Sequence, residues 1–247
     1  IAEAKCELLA TMPDHSIAIL NYDNPRLMTT AAKFWQGKVI SYGFSGGDIQ
    51  GELINNETLE IAGMRLPLPL PGRHNASNFL AALAVAQVLE IDWQLLQSGI
   101  MVNMPTGRSQ RFTLPHDIVI LDETYNAAPE AMLAALQLLA DTPGKRKIAV
   151  LGAMKELGER SAELHQKVGE MVKNLHLDGL LVLVDGKDAE IIANSADNIS
   201  CECFSSHADL VKRLKTFIQA GDCLLFKAAH SVGLDRVVNQ LRAEFTN

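Results

Sequence analysis

The sequence lacks three features that mark large classes of protein: a long apolar run, an excess of basic residues and paired cysteine motifs. No apolar stretch reaches the roughly 18–20 residues that a membrane-spanning helix needs. The net charge is −7 and no Lys/Arg block is present, so the chain has no electrostatic footprint for nucleic acid or for an acidic membrane surface. We therefore expect neither nucleic-acid binding nor membrane insertion.

Cysteine is also scarce, with only four in the chain: Cys6, Cys201, Cys203 and Cys223. No CxxC pair with partner histidines occurs, which argues against a zinc site. Cys201 and Cys203 fall on a predicted strand, where we expect them to face opposite sides. Buried free thiols in a reducing cytoplasm are the prediction.

What is present is an ordinary globular composition. The 247 residues are 48% hydrophobic and 21% charged, which fits one or two domains. The stretch IAEAKCELLATM, which begins at Ile1, has the apolar spacing of a helix interior and is ended by Pro13. We therefore expect the chain to be a fragment of a longer protein.

The N-terminal part predicts a sheet with helices and an antiparallel edge. Asn24 and Pro25 form a typical helix start, as N-cap and first helical residue. The predicted strands cover 16–20, 38–44, 48–56 and 58–70, and helices cover 1–12, 24–35, the segment after Gly72, and 92–102.

The stretch 103–112, NMPTGRSQRF, has the composition of a hinge and predicts a domain boundary. After it, apolar strands alternate regularly with helical segments as far as the C-terminus. This order predicts a doubly wound, mostly parallel α/β sheet covered on both faces. We place the domains at 1–108 and 109–247.

Polar side chains follow several of the predicted parallel strands, at the edge where ligands collect in such sheets. They are Asp122, Glu123, Tyr125 and Asn126 after the first strand, Lys155, Glu156 and Glu159 after the second, and Lys227, His230 and Ser231 after the last. Carboxylates suit a ribose hydroxyl or a metal, and lysines suit a phosphate or a carboxylate. No G-x-S-x-G, H-E-x-x-H, G-x-G-x-x-G or G-x-x-x-x-G-K-[ST] motif accompanies them. The residues alone indicate a polar cleft and no particular reaction.

Four blocks, taken together, resemble the Mur ligase family. They are IAEAKCEL with NYDNP, LPLPGRHNASNFLAALA, LDETYNAAPEAM, and VLGAMKELGERSAELHQKVG with FKAAHSVGLDRVV. They occur in family order across essentially the whole chain. The resemblance implies that residues 1–108 are the second half of the central ATPase domain and 109–247 a Rossmann-like C-terminal domain. The family's N-terminal domain and phosphate-binding P-loop should precede Ile1.

The activity that this resemblance implies is ATP-driven amide formation through an acyl phosphate, with ATP and Mg²⁺ as cofactors. The YNA-P and ELG blocks favour the member that adds D-alanyl-D-alanine to UDP-N-acetylmuramoyl-tripeptide. That reaction belongs to cytoplasmic peptidoglycan precursor synthesis, which supports cell shape and division. We expect a monomeric ligase, and we expect this fragment to be inactive alone.

The resemblance also assigns residues to the nucleotide. Asn75 and Asn78 look like the amides that bind the adenine edge, with His74 beside them. Arg108 matches an arginine that reaches the nucleotide from the interdomain linker. Tyr125 and Asn126 belong to the segment that closes on the ribose, together with one of two carboxylates, Asp122 or Glu123, between which the sequence does not decide.

Three more residues take catalytic roles by resemblance. Lys5 falls where the family has a lysine carbamylated by CO2, which helps to hold magnesium. Lys227 and Ser231 lie where the C-terminal domain is expected to meet the dipeptide or the acyl phosphate. The match is imperfect, since Ala128, Ala153 and His230 stand where the family usually has asparagine, aspartate and arginine.

Two alternatives stay open. One is a sibling ligase, or a folylpolyglutamate synthase-like enzyme, that uses a different amino acid as acceptor. The other is a nucleotide-binding protein of the same fold without catalysis, which the changes at Ala153 and His230 favour.

Overall fold

The computed structural model describes residues 2–246, so Ile1 lies outside the described part of the chain. The chain divides into two compact units, residues 1–102 and 103–247. The division therefore lies at the start of the predicted hinge segment 103–112, a few residues before the boundary that the sequence suggested.

The first unit is built on a five-stranded sheet in the order β1-β2-β3-β4-β5. The first three strands are parallel and the last three are antiparallel, which confirms the predicted antiparallel edge. The strands are β1 (Ile17–Asn21), β2 (Lys38–Gly43), β3 (Ile49–Asn55), β4 (Thr58–Ile61) and β5 (Met64–Pro67). The single predicted run 58–70 is wrong, because Ala62 and Gly63 turn the chain with positive φ angles of 49° and 76°.

Three helices complete this unit: α1 (Ala2–Ala10), α2 (Pro25–Phe34) and α3 (Arg73–Val88). The predicted cap of α2 is confirmed, since the Asn24 side chain accepts a hydrogen bond from Leu27 N at 3.0 Å. Helix α3 buries Ala76, Leu80 and Leu83 at helical spacing, and these residues belong to the same core cluster as strands β3 to β5.

The predicted helix over 92–102 is wrong. Only a single 3₁₀ turn forms, over Trp93–Leu96, and Gly99 takes a φ of 85°. Of the apolar side chains that suggested a helix, Trp93 and Leu96 pack against the core of this unit, whereas Leu95 is 70% and Met101 98% exposed. A short helix that buries so few of its apolar side chains has too little stabilisation to persist.

The second unit contains a six-stranded sheet in the order β10-β9-β8-β11-β7-β6, which is parallel except for β6. This confirms the predicted doubly wound α/β sheet. The strands are β6 (Gln110–Leu114), β7 (Ile118–Asp122), β8 (Lys147–Leu151), β9 (Gly179–Leu183), β10 (Cys201–Phe204) and β11 (Cys223–Lys227). Strand β6 is missing from the sequence prediction, because the turn residues of the hinge segment masked it.

Five helices cover the two faces of this sheet, in two groups. They are α4 (Pro129–Asp141), α5 (Ser161–Asn174), α6 (Lys187–Ser195), α7 (His207–Phe217) and α8 (Leu234–Thr246). The first three share one core cluster and the last two share another. With both faces covered, β7, β9 and β11 are buried along their whole length.

The winding direction places a crevice in the second unit. Strand β11 lies between β8 and β7. The loops that leave β7 and β8 lead to helices on one face, whereas the loop that leaves β11 leads to α8 on the other face. Loops that diverge in this way open a crevice at the carboxyl ends of the strands, where ligands bind in such sheets.

The cysteines are free, as predicted, but the expectation for the pair on β10 is wrong. Residues two apart on a strand share a face, and Cys201 and Cys203 accordingly approach each other. Burial, with the neighbouring Cys203, raises the pKa of Cys201 to about 12. Cys6 and Cys223 are buried as predicted, whereas Cys203 is exposed.

Among residues 2–246, no helix combines the length and apolarity needed to cross a membrane.

In the first unit, Asp48 fixes the connection between β2 and β3. Its carboxylate accepts hydrogen bonds from Ser41 N and Ser41 Oγ, both at 2.8 Å. The backbone bond and then the hydroxyl bond lower the pKa of Asp48 from 3.8. The ionised carboxylate is therefore the form that stabilises the fold.

We predict that this stabilisation depends on pH. Because the folded-state pKa is lowered, the contribution is present above the unfolded value of 3.8 and is lost as pH falls through the lower folded value. In urea unfolding at several pH values, Asp48→Asn should be less stable than wild type at neutral pH, and the gap should close in acid. Asp14→Asn, an exposed aspartate, is the control. A gap that stays constant down to the acid limit would contradict this role.

Candidate functional site

In the first unit, the candidate residues lie at the start of α3. The helix begins after Gly72 without a side-chain cap. Asn75 is 8% exposed and its amide Nδ2 donates to the Pro71 carbonyl at 2.8 Å, whereas Asn78 is exposed and His74 is half-buried. The two amides share a helix face but differ in role. Asn75 is hydrogen-bonded to the proline-rich segment that precedes the helix, and Asn78 is the amide that a ligand can reach.

Lys5 is an exposed residue of α1. Nowhere in the described part of the chain do three or more His, Cys, Asp or Glu side chains come together as metal ligands would. A carbamylated Lys5 would thus supply one metal ligand, and these residues do not form a complete magnesium site.

In the second unit, the two carboxylates at the end of β7 have different surroundings. Asp122 is 2% exposed and accepts hydrogen bonds from Thr124 N at 3.1 Å and Thr124 Oγ1 at 2.6 Å. Glu123 is half-buried at the crevice. Desolvation by burial raises its pKa, while Lys227 and hydrogen bonds from Ser109 oppose that rise. Asp122 therefore shapes the turn, and Glu123 is the carboxylate nearer to solvent.

Three side chains stack in a column at the mouth of the crevice. The Arg108 guanidinium carbon lies 3.9 Å from the centroid of the Tyr125 ring. The His230 ring centroid lies 5.8 Å from that of Tyr125, with the planes inclined by 35°. The column thus joins the segment before β6 to the loops after β7 and β11, and all three side chains are exposed.

Gly107 allows this column to form. Its carbonyl accepts a hydrogen bond from Tyr125 N at 2.9 Å, and its φ is 74°. A Cβ at this position would lie 2.8 Å from Thr124 Oγ1 and 2.9 Å from Tyr125 N, which is too close for real atoms. Only glycine lets the segment that carries Arg108 approach the loop that carries Tyr125.

Lys227, the last residue of β11, lies beneath the same loop. Its Nζ donates to the carbonyl of Asn126 at 2.8 Å and to the carbonyl of Glu123 at 3.3 Å. The Glu123 carboxylate is 4.0 Å away, and the Lys227 side chain is only 5% exposed. Desolvation lowers the pKa of Lys227, and Glu123 opposes the shift.

The remaining predicted residues are exposed at the crevice. Asn126 follows Tyr125, and its side-chain oxygen accepts a hydrogen bond from Ala127 N at 2.8 Å. Ser231 lies in the 3₁₀ turn after β11, whose Val232 carbonyl is bonded to His207 Nε2 at 2.8 Å. The structure therefore brings together the candidates that follow β7 and β11.

The loop after β8 is held by residues to which the sequence assigned no site role. His165 is completely buried, and its Nε2 accepts a hydrogen bond from Met154 N at 2.9 Å. Its Nδ1 lies 2.8 Å from the Ser161 carbonyl and therefore carries the proton. Lys155 pairs with Asp185. In the sequence, the S-x-x-x-H spacing in ERSAELH indicates this contact between Ser161 and His165, one helical turn apart.

The same loop includes a strained residue. Glu156 takes a φ of 63°, which is unfavourable for any residue other than glycine. Both Glu156 and Glu159 are exposed. The loop is held in this shape by the bonds to His165 and Asp185 and by Ala229 N, which donates to the Ala153 carbonyl at 2.9 Å.

Comparison with protein families gives two matches. Residues 1–86 match the Mur ligase middle domain, and residues 107–230 match the Mur ligase glutamate ligase domain.

Among curated proteins, the chain is 57% identical over 244 residues to a UDP-N-acetylmuramoyl-tripeptide–D-alanyl-D-alanine ligase of Synechocystis sp., covering 99% of this chain and 54% of that protein. The ligase of the same description from Escherichia coli is 32% identical, with 100% and 56% covered. The chain spans about half the length of the curated relatives it matches.

Among solved structures, a MurF ligase from Thermotoga maritima in complex with ADP aligns with a TM-score of 0.83 at 29% identity. The alignment covers 99% of this chain and 57% of that protein.

We predict measurable coupling within the stacked column. A double-mutant cycle with Arg108→Met and Tyr125→Leu should give a coupling of about 0.5–1 kcal/mol, the usual value of an exposed cation–π contact. Urea unfolding of the 247-residue chain measures it in the transition of the second unit. The control cycle pairs Tyr125→Leu with Arg111→Met, an exposed arginine of β6. Equal coupling in both cycles would contradict a specific stack.

Proposed function

The chain belongs to the Mur ligase family, and we propose that it is part of an ATP-dependent ligase that adds D-alanyl-D-alanine to UDP-N-acetylmuramoyl-tripeptide. The observation that carries this proposal is 57% identity, over 99% of the chain, to a protein of that description. The chain would supply the second half of the central domain, residues 1–108, and the C-terminal domain, residues 109–247.

In the proposed reaction, an oxygen of the tripeptide carboxylate attacks the γ-phosphorus of ATP, and ADP leaves. The amine of D-alanyl-D-alanine then attacks the carbonyl carbon of the acyl phosphate. An amide bond forms, the C–O bond to phosphate breaks, and the amine gives up a proton. Positioning and electrostatic stabilisation are expected to supply most of the catalysis.

We propose nucleotide contacts within each unit separately. In the first unit, Asn78 would bind the adenine edge, because an amide offers the donor and acceptor that N7 and N6 of adenine require. Asn75 and His74 would shape that end of the site. From the second unit, the ribose and the base would meet Arg108 and Tyr125, together with Glu123 as the reachable carboxylate and Asn126. Asp122 would support the turn beneath them.

For the acceptor, the exposed Ser231 hydroxyl is the group that we propose to contact the dipeptide carboxylate or the acyl phosphate. His230, beside it, offers an imidazole ring, which cannot make the two parallel hydrogen bonds of an arginine guanidinium to a carboxylate. Lys227 is almost fully buried beneath the loop, which argues against a direct contact with substrate.

For magnesium, we propose a single protein ligand in this chain. Lys5, if carbamylated, would present a carboxylate-like group to Mg²⁺, which prefers oxygen ligands. Among the described residues, no three His, Cys, Asp or Glu side chains come together to complete such a site. We further propose a monomeric cytoplasmic enzyme of peptidoglycan precursor synthesis.

We predict that full-length ligase releases phosphate in multiple turnovers only when both UDP-N-acetylmuramoyl-tripeptide and an acceptor are present. D-alanyl-D-alanine should be preferred over single amino acids and over glutamate, the acceptor profile that separates this proposal from a sibling ligase or a folylpolyglutamate synthase. Phosphate release measures the rate. Nucleotide binding without turnover on any acceptor would instead indicate a non-catalytic protein.

We also predict that the 247-residue chain alone shows no turnover. Its sequence contains no G-x-x-x-x-G-K-[ST] motif to cradle the β- and γ-phosphates. Phosphate release above background with both substrates would overturn this expectation.

The adenine assignment predicts a loss of nucleotide affinity. Asn78→Ala in full-length ligase should weaken ADP binding by about 1–3 kcal/mol, the cost of leaving buried polar partners unpaired. Calorimetric titration measures it, and Gln87→Ala, an exposed amide of the same helix, is the control. Asn75→Ala should weaken binding and also destabilise the first unit, because Pro71 loses its hydrogen-bond donor. Unchanged ADP affinity in Asn78→Ala would remove that residue from the site.

A further inference from the structure

The protein itself uses two of the three N–H donors of the Lys227 ammonium. A lysine ammonium carries three N–H groups. Two of them point to the carbonyls of Asn126, at 2.8 Å, and of Glu123, at 3.3 Å. The third has the Glu123 carboxylate within 4.0 Å, and the side chain is 5% exposed. A phosphate or carboxylate could use only the third N–H, in a side chain that is 5% exposed and beside the Glu123 carboxylate, which would repel it.

Those bonds lie on either side of Tyr125. The Glu123 carbonyl precedes it and the Asn126 carbonyl follows it, so one ammonium holds both ends of the short loop. The loop leaves β7, and Lys227 ends the neighbouring strand β11. A backbone bond from Glu123 N to the Phe226 carbonyl, at 3.0 Å, continues the same attachment. The hydrogen bonds from Lys227 therefore fix the backbone on both sides of Tyr125, and the Tyr125 ring contacts Arg108 and His230.

Removing the ammonium would leave two carbonyls of this loop without donors. Water would then replace the ammonium as the donor to these part-buried carbonyls, and the loop would no longer be tied to β11. Tyr125 would then lose the position at which Arg108 contacts its ring. Arginine would not replace lysine well, since its planar fork is larger and directs its donors differently.

We propose that Lys227 is a positioning residue for the nucleotide side of the site, which holds Tyr125 at Arg108 and does not contact substrate. The proposal rests on the proposed function, because it takes Tyr125 and Arg108 to be nucleotide contacts. It differs from the role that the family resemblance implied, in which Lys227 meets the dipeptide or the acyl phosphate.

The test separates nucleotide affinity from acceptor use in full-length ligase. For Lys227→Met, the Kd for ADP should rise roughly 10- to 100-fold, because the loop must be ordered again before Tyr125 and Arg108 can contact the nucleotide. The KM for D-alanyl-D-alanine, and kcat at saturating ATP, should stay within about threefold of wild type, a change under 1 kcal/mol. Lys167→Met, an exposed lysine paired with Glu163 on α5, is the matched control and should change neither.

The opposite pattern overturns the proposal: an unchanged Kd for ADP with a large loss of kcat or a raised acceptor KM. Wild-type ligase that neither binds ADP nor forms product would instead defeat the proposed function, so the two failures are distinguishable.

A measurement on wild-type protein covers the case in which Lys227→Met does not fold. In nucleotide-free ligase, reductive methylation followed by mass spectrometry should leave Lys227 unmodified while exposed lysines such as Lys167 are modified. Methylation of Lys227 as fast as that of Lys167 would show an ammonium free for substrate and would overturn the proposal.

Discussion

The insertion of β11 between β8 and β7 is the constraint on which the second unit depends. Because the last parallel strand returns to the middle of the sheet, its terminal residue reaches the loop after β7, and its following turn meets the loop after β8. Hydrogen bonds from Lys227 to one side, and from Ala229 to Ala153 on the other, join loops that are distant in sequence. The crevice is thus assembled by topology before any ligand is considered.

Charge at this crevice is mostly used by the protein itself. The Asp122 carboxylate accepts hydrogen bonds from Thr124, and the Lys227 ammonium donates to the carbonyls of Glu123 and Asn126. The side chains that stay exposed after β7 and β11 are an aromatic ring, an amide, an imidazole and a hydroxyl. Such a surface offers hydrogen bonds and ring contacts, and the exposed guanidinium of Arg108 lies against the Tyr125 ring.

The sequence predicted the elements that local patterning controls. Continuous apolar runs predicted the buried strands correctly, and Asn24-Pro25 predicted the start of α2. Strand β6 was not predicted, because its pairing with β7 outweighs the turn-rich composition around Pro105 and Gly107. The helix expected at 92–102 does not form, because Trp93 and Leu96 pack against the core while Leu95 and Met101 stay exposed. The partners of Lys227 and the difference between Asn75 and Asn78 could not be predicted, since both depend on carbonyls whose positions only the folded chain fixes.

The buried imidazole of His165 has a consequence for spectroscopy. Its Nε2 accepts from Met154 N, so the proton resides on Nδ1, and the ring carries a single tautomer inside the core. The two nitrogen resonances of that ring should therefore have the separate chemical shifts of one tautomer, whereas an exposed histidine that samples both forms gives averaged shifts. A label there would report, from the interior and without any substitution, whether the loop after β8 keeps its shape while the site is occupied.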